Sequence, residues 1–502
     1  MKQFLTWTVR CLSVLFLGLA IVYTITRQSV HLMAGLPVFI LIAVVFYLLL
    51  RRRHFKLPVK SERTYNILTM IMFCISAAVV VLCGSQLAVN HSWDWGRILG
   101  EAMNYADHDS LTDVIYYAQY PNNQFMYRVL VYAFRFIRLI IPDFPTVRLN
   151  VFAILLSCAM VLVGYLFIYL TVKEMHGSRA MFFCSIAVLL YTPSYLYATF
   201  AYTDTFSLPF NAAILYLYAR KIKIDVNDPK GKRKTFVLLA LIGIIGGIGA
   251  RFKIFTLVYL IALLVTEFAF SKAGSRLLSL LISASILLCT AVPAYLFPDN
   301  TDIFDIDQAV YDRYRFPLEH WVMMGLKSPG GFNAEDVNYT AGFESYNEKK
   351  DADRLVIRQR IQEKGISGMI QHVFYTKLSR VWAQPALAAN DYVSRNSLHE
   401  DGLLRNIFGL RGKYHAYYLA YQSVIHLLLL VFLFLVALLR VKKPFYFLST
   451  TTLLGMFLFL SIWECNSRYL YSLIPCFLIN SLEGTRILSH WLVRHSSYSE
   501  RH

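Results

Sequence analysis

Residues 90–123 read NHSWDWGRILGEAMNYADHDSLTDVIYYAQYPNN, a polar and aromatic stretch set between two apolar ones. Before it, residues 67–89 are apolar enough to cross a bilayer. After it, residues 124–141 form an apolar helical pattern studded with Arg128, Arg135 and Arg138. Asp94 therefore stands about one helical turn beyond the end of a span, flanked by Trp93 and Trp95. A charge at that depth is costly without a partner or a task, which makes Asp94 a functional candidate.

The rest of the chain follows the same alternation. Of 502 residues, 57% are hydrophobic and 16% charged, and the mean hydropathy is +0.48, which excludes a soluble globular domain. Apolar runs recur about twelve times, at 8–26, 31–50, 66–89, 149–171, 180–199, 205–219, 235–251, 254–270, 276–297, 417–439, 445–462 and 469–488. Lipid offers no partner to an unpaired backbone group, so each must be helical. The expected fold is all-α: a polytopic helical membrane protein with interfacial helices and two extracytoplasmic loops. The first run has no small-residue cleavage site and a second follows closely, so it reads as retained rather than as a signal peptide.

Lys and Arg collect in three clusters: Arg51, Arg52, Arg53, Lys56, Lys60 and Arg63; Arg220, Lys221, Lys223, Lys230, Lys232, Arg233 and Lys234; and Arg440, Lys442 and Lys443. On the span count above all three share one face with both termini and with Arg494 and Arg501, and that face reads as cytoplasmic. The formal charge of +18 then reflects topology and attraction to anionic lipid heads, and no nucleic-acid partner is implied. The chain divides into an N-terminal two-helix addition with its basic loop (1–65), a transmembrane core with the first outer loop 90–148 (66–297), a large outer loop (298–416), and C-terminal helices with a tail (417–502). Only one span separates the first outer loop from Lys173–Arg179 inside. Helix 124–141 must therefore lie at the outer interface, its arginines at headgroup level.

The eight cysteines include no Cys-x-x-Cys pair, and the thirteen histidines show no His-Glu-x-x-His spacing, so neither a disulfide framework nor a metal or other cofactor is implied. Asn90-His-Ser and Asn338-Tyr-Thr match the glycosylation sequon, as chance triplets also do.

Polar residues instead gather on the outer face. Asp94, Arg97 and Glu101 share one face if 93–105 is helical, and an Asp94–Arg97 ion pair tethering the loop is the plainer alternative. Asp204, at the start of a span, suits a helix N-cap. Arg251 and Lys253 interrupt two apolar runs at an outer turn, against the cytoplasmic bias of positive charge, which points to a bound anion such as a lipid phosphate. In the large loop, Arg315-Phe-Pro-Leu-Glu-His320-Trp321 reads as interfacial, and Gly330-Gly331-Phe-Asn333 as a tight turn needing positive φ. A charged helix over 346–365 precedes an amphipathic one over 366–382 carrying Lys377 and Trp382. The last outer turn, Trp463-Glu464-Cys-Asn466-Ser-Arg468, holds either a Glu464–Arg468 ion pair or a ligand contact.

In this order and sidedness the motifs resemble those of the GT-C superfamily of polytopic glycosyltransferases, which includes protein O-mannosyltransferases and bacterial enzymes acting on lipid-linked sugars. The resemblance rests on Asp94 early in the first outer loop, Tyr120-Pro121-Asn122-Asn123 heading the interfacial helix, and His320-Trp-Val-Met-Met-Gly-Leu326 followed by Gly330-Gly-Phe-Asn333. Lys377…Trp382 and Glu464…Arg468-Tyr-Leu…Pro475 complete it, over residues 66–488. The superfamily often pairs two acids in the first loop, whereas Trp95 follows Asp94 here, so a second carboxylate role falls to Glu101 or to a residue further away.

The resemblance implies transfer of a sugar from a polyprenyl-phosphate carrier to an extracytoplasmic acceptor, a cell-envelope polymer such as a teichoic acid, another glycan or a protein. It implies Asp94 as general base, with Arg251, Lys253 and Arg468 at the donor phosphate. Trp93, Trp95, Arg97, Glu101, Tyr120, Asn122, Asn123, Asp204, His320 and Asn333 are then candidates for acceptor or sugar contacts. Two alternatives are a lipid-linked oligosaccharide flippase and a polysaccharide polymerase or ligase. Mostly clean spans argue against the flippase.

Overall fold

The structure is a computed structural model that describes residues 2–51, 61–89, 93–225, 228–270, 286–293, 295–296, 306–398 and 401–499. Residues 276–285 of one expected span, the basic residues Arg52, Arg53, Lys56, Lys60 and Arg501, and the sequon at Asn90 lie outside the described residues. The helices that frame the site are, in chain order, α1 (Lys2–Arg27), α2 (Glu62–Gln86), α3 (Trp93–His108), α4 (Gln124–Ile140), α5 (Thr146–His176), α6 (Thr203–Lys221), α7 (Pro229–Phe252), α8 (Leu318–Leu326), α9 (Tyr346–Gln371), α10 (Leu378–Trp382), α11 (His415–Leu439), α12 (Pro444–Ile462) and α13 (Ile474–Ser499). Strands are absent among the described residues, apart from one isolated antiparallel bridge between Val89 and Ser397.

Six of these helices, α1, α2, α5, α7, α11 and α12, are long and apolar enough to span a membrane. The expected span 180–199 is broken: Ser178–Leu190 and Pro193–Thr199 meet at 72°. The backbone leaves the helical region at Tyr191 (φ −95°, ψ 88°), and Pro193, which has no amide hydrogen to continue the ladder, opens the short helix that follows. Thr256–Phe270 is apolar but short. The expected span 205–219 is α6, which buries Thr203, Asp204, Thr205, Ser207 and Asn211. The molecule is thus a polytopic helical membrane protein in which some of the expected spans are shortened, bent or polar.

The bundle closes through its ends. Helix α6 packs between α5 and α7, and α11 packs on α13 and α1. The N-terminal helix, expected as an addition, is built into this core: Phe16 is fully buried, edge-on to Trp382 at 5.1 Å and stacked on Phe457 at 5.0 Å. Contacts of this kind hold helices together where lipid tails provide no hydrophobic drive.

Helix α4 lies on α3 and α7. Two of its three arginines pair with acids of the preceding helix and loop. Arg138 pairs with Asp107 at 2.6 Å and also reaches the Ala106 carbonyl, while Arg135 pairs with Asp109. Arg128 is buried. The acids at the end of α3 answer the α4 cations across the fold, so the two helices form one unit.

Helix α9 opens with a capping box: the Ser345 hydroxyl accepts the Glu348 amide at 3.2 Å and the Glu348 carboxylate accepts the Ser345 amide at 3.1 Å. It is two helices joined at Gly365, whose φ of 57° ends the charged half where the sequence places the change. The amphipathic half continues through a π-helical turn, His372–Lys377, into α10.

Candidate active site

A cavity of about 1240 Å³ opens where the loop between α2 and α4, the large loop and the C-terminal ends of α7 and α12 converge. Three local devices set its walls. Leu398 and Arg405 of the large loop donate to the Ala88 carbonyl at 3.1 and 3.0 Å, which ties the exit of α2 to that loop just before Trp93. Gly325 lets α8 lie directly on the end of α12, since a Cβ there would stand 2.7 Å from the Ile462 and Trp463 carbonyl oxygens. The Glu464 amide then donates to the Trp321 carbonyl at 3.1 Å. Buried Lys377 donates to the Ser461 and Trp463 carbonyls at 3.1 and 2.6 Å, satisfying orphan acceptors at the C-terminal end of α12. Gly330 crosses this lysine with φ 89°, the positive value its motif predicts.

Asp94 is half-buried on the cavity wall. The Tyr116 hydroxyl donates to its Oδ1 at 2.9 Å and accepts from Asn123 Nδ2 at 2.8 Å, and Asn122 Nδ2 donates to Asn123 Oδ1 at 3.1 Å. The Tyr-Pro-Asn-Asn motif thereby orients the carboxylate through one tyrosine. No Asp94–Arg97 ion pair occurs among the described residues. Arg97 turns instead to Asp113 at 2.8 Å and lies over the Tyr116 ring at 4.4 Å.

The cations stand on the same cavity. Lys253 Nζ is 3.1 Å from Asp204 Oδ1, and Arg468 Nε is 3.4 Å from Asp204 Oδ2. The Arg468 guanidinium is enclosed by the rings of Trp93 at 4.7 Å, Tyr392 at 4.9 Å and Tyr202 at 5.4 Å. Arg251 shares the wall and lies over the Phe125 ring at 5.5 Å. Both Lys253 and Arg468 are largely buried, with side chains 13% and 8% exposed, and they share one carboxylate that is itself 2% exposed. Among the described residues, each of the two finds its ion pair on that one carboxylate. Glu464 lines the cavity too but forms no ion pair with Arg468 among the described residues; the Tyr469 hydroxyl donates to its Oε2 at 2.6 Å. Burial pushes the Glu464 carboxyl above its ordinary value, which favours the neutral form.

Of the other residues singled out from the sequence, Trp93, Arg97, Tyr120, Asn122 and Asn123 line the cavity. Trp95 does not: it is turned into the core, edge-on to Phe200 at 5.6 Å. Glu101 is also off the wall, where it accepts from the Thr112 amide and hydroxyl and fastens the loop after α3. Asp204 lies behind Lys253 and Arg468. His320 is wholly buried with its Nδ1 2.7 Å from the Thr340 hydroxyl, and burial pushes its imidazole down to about 4, so it stays neutral at neutral pH. Asn333 caps the helix Ala334–Ala341 by accepting the Asp336 amide at 3.0 Å. The wall residues that sequence reasoning passed over include Tyr116, Tyr392, Trp321 and Trp463. The last two stood inside quoted motifs, as neighbours of His320 and Glu464.

A family described as conserved hypothetical integral membrane proteins matches residues 6–484. The chain belongs to that family. Its match begins within α1, the helix that Phe16 anchors in the core. No curated protein matches the chain. Among solved structures it is similar to ArnT from Cupriavidus metallidurans bound to undecaprenyl phosphate, with a TM-score of 0.31 and 14% identity over 83% of this chain and 77% of that one. The same protein in the apo state gives a TM-score of 0.30 and 15% identity over 82% and 77%. No group of three or more His, Cys, Asp or Glu side chains able to hold a metal occurs among the described residues.

Proposed function

We propose that the chain is a membrane glycosyltransferase that takes a sugar from a polyprenyl-phosphate carrier and passes it to an acceptor hydroxyl on the extracytoplasmic face. The observation that carries this reading is the cavity's pairing of one oriented carboxylate, Asp94, with a buried cluster in which Lys253 and Arg468 share the carboxylate of Asp204. Lys253 and Arg468, which share one carboxylate, suit a phosphate together with Arg251 on the same wall.

In the reaction, Asp94 takes the proton of the acceptor hydroxyl. The acceptor oxygen bonds to the anomeric carbon, and the bond from that carbon to the phosphate oxygen breaks. The electron pair leaves with the lipid phosphate, whose charge the cations stabilise. Tyr116 and Asn123 orient Asp94. Asp204 orients Lys253 and Arg468.

The purified protein with a polyprenyl-phosphate sugar tests the donor assignment. Lys253→Ala is expected to raise the donor KM roughly 10- to 100-fold, the worth of a charge-assisted contact in a buried site, with membrane insertion retained. An unchanged KM in a double variant at positions 251 and 253 would reject the phosphate assignment.

The reading also needs the cavity outside. Cysteine labelling of intact cells is expected to reach a cysteine placed at Ser110 and not one placed at Lys232, following the Lys/Arg asymmetry. The reverse pattern would overturn both the orientation and the site.

A further inference from the structure

The cavity has a second wall, shared by the large loop, Tyr120 and Trp463, that the donor chemistry leaves unused. Its rings form an unbroken series: Tyr120 lies 5.6 Å from Phe316 and 6.0 Å from Trp321, and Trp321 stacks on Trp463 at 6.2 Å and 20°. Tyr120, Trp321 and Trp463 are only half-buried, so ring surface faces the cavity. Two exposed arginines, Arg315 and Arg380, line the same cavity. They differ from the other exposed arginines there. Arg97 and Arg395 are neutralised by Asp113 at 2.8 Å and Asp391 at 2.5 Å, whereas Arg315 and Arg380 form no ion pair among the described residues. Arg315 rests over the Tyr346 ring at 5.7 Å. Arg380 lies against the Gly-Gly turn, where a Cβ at position 331 would come 2.8 Å from its Nη2. The second glycine of the motif thus makes room for a guanidinium.

Aromatic faces of this kind take the apolar C–H faces of a sugar ring, and a planar guanidinium takes a carboxylate or phosphate through paired hydrogen bonds. We propose that the wall formed by Tyr120, Trp321 and Trp463 with Arg315 and Arg380 binds an acidic glycan, one whose sugar rings carry carboxylate or phosphate groups, and that this glycan is the acceptor. The word acceptor rests on the glycosyl-transfer reading; the binding does not.

The test uses the full-length protein in detergent, without donor, and three fluorescent hexasaccharides: a neutral one, its carboxylated derivative and its phosphorylated derivative. At low salt at least one acidic form is expected to bind about tenfold more tightly than the neutral one, the worth of two solvent-exposed ionic contacts. The double variant Arg315→Ala/Arg380→Ala should bring that form down to the neutral level, and Trp321→Leu should weaken every form that binds. Both arginines are exposed, and a melting curve of the double variant shows that the fold is kept. The two acidic arms identify the anion. Equal binding of all three sugars, binding of none, or a preference that survives the double substitution overturns the proposal. Acidic-glycan binding by a protein that moves no sugar would keep this site and reject the transferase reading.

Discussion

Asp94→Asn is expected to lower sugar transfer by about two to four orders of magnitude, the range for loss of a positioned general base. The substitution keeps the side chain's size, and its carbonyl still accepts the Tyr116 hydroxyl that now bonds Oδ1 at 2.9 Å. What it removes is the negative charge and the ability to take a proton. Asp94 is half-buried on the cavity and forms no ion pair among the described residues, so expression and thermal stability should stay close to those of the unaltered protein. Transfer from a polyprenyl-phosphate sugar by purified protein, alongside a melting curve, separates loss of chemistry from loss of fold. Near-normal turnover would place the base elsewhere.

Asp204→Asn should do the opposite. Its carboxylate is buried between Lys253 and Arg468, and neutralising it removes the ion-pair partner that the two buried cations share. Removing one member of a buried ion cluster costs ~3–5 kcal/mol, so a marked drop in stability in detergent is expected, together with weaker donor binding. The pair of variants therefore divides the two acids by phenotype: Asp94→Asn stable and inactive, Asp204→Asn unstable. A stable Asp204→Asn protein with the turnover loss expected for Asp94 would make Asp204 the base.

Much of this arrangement is legible in the chain itself. Long apolar runs can only become helices in lipid, and Gly330 and Gly365 mark backbone turns that their φ values bear out. The breaks within spans were harder to read, because hydropathy runs through Tyr191 and Pro193 without registering the bend between the two helices. Charge pairing was the least legible. Local spacing suggests Asp94 with Arg97 and Glu464 with Arg468, yet Arg97 goes to Asp113, Arg468 to Asp204, and Glu464 takes the Tyr469 hydroxyl. Glu464 stays within its own turn and Arg97 reaches Asp113 across the turn after α3, but Arg468 reaches Asp204 only because distant segments meet in the folded bundle. The same reason explains Trp321 and Trp463: nothing in either neighbourhood says that Gly325 will bring α8 against α12 and stack the two indoles. His320 and Asn333 sit in recognisable motifs, but their side chains serve the loop's own packing and capping.

The central claim is that a sugar leaves a lipid monophosphate in this cavity. Mass spectrometry of the lipid released in a single turnover by the purified protein, supplied with a polyprenyl-phosphate sugar and an acidic oligosaccharide, tests it most directly. The account predicts free polyprenyl monophosphate in step with glycosylated acceptor, and neither product with Asp94→Asn. Donor left intact by the unaltered protein, or turnover only with a diphosphate-linked oligosaccharide, would contradict it.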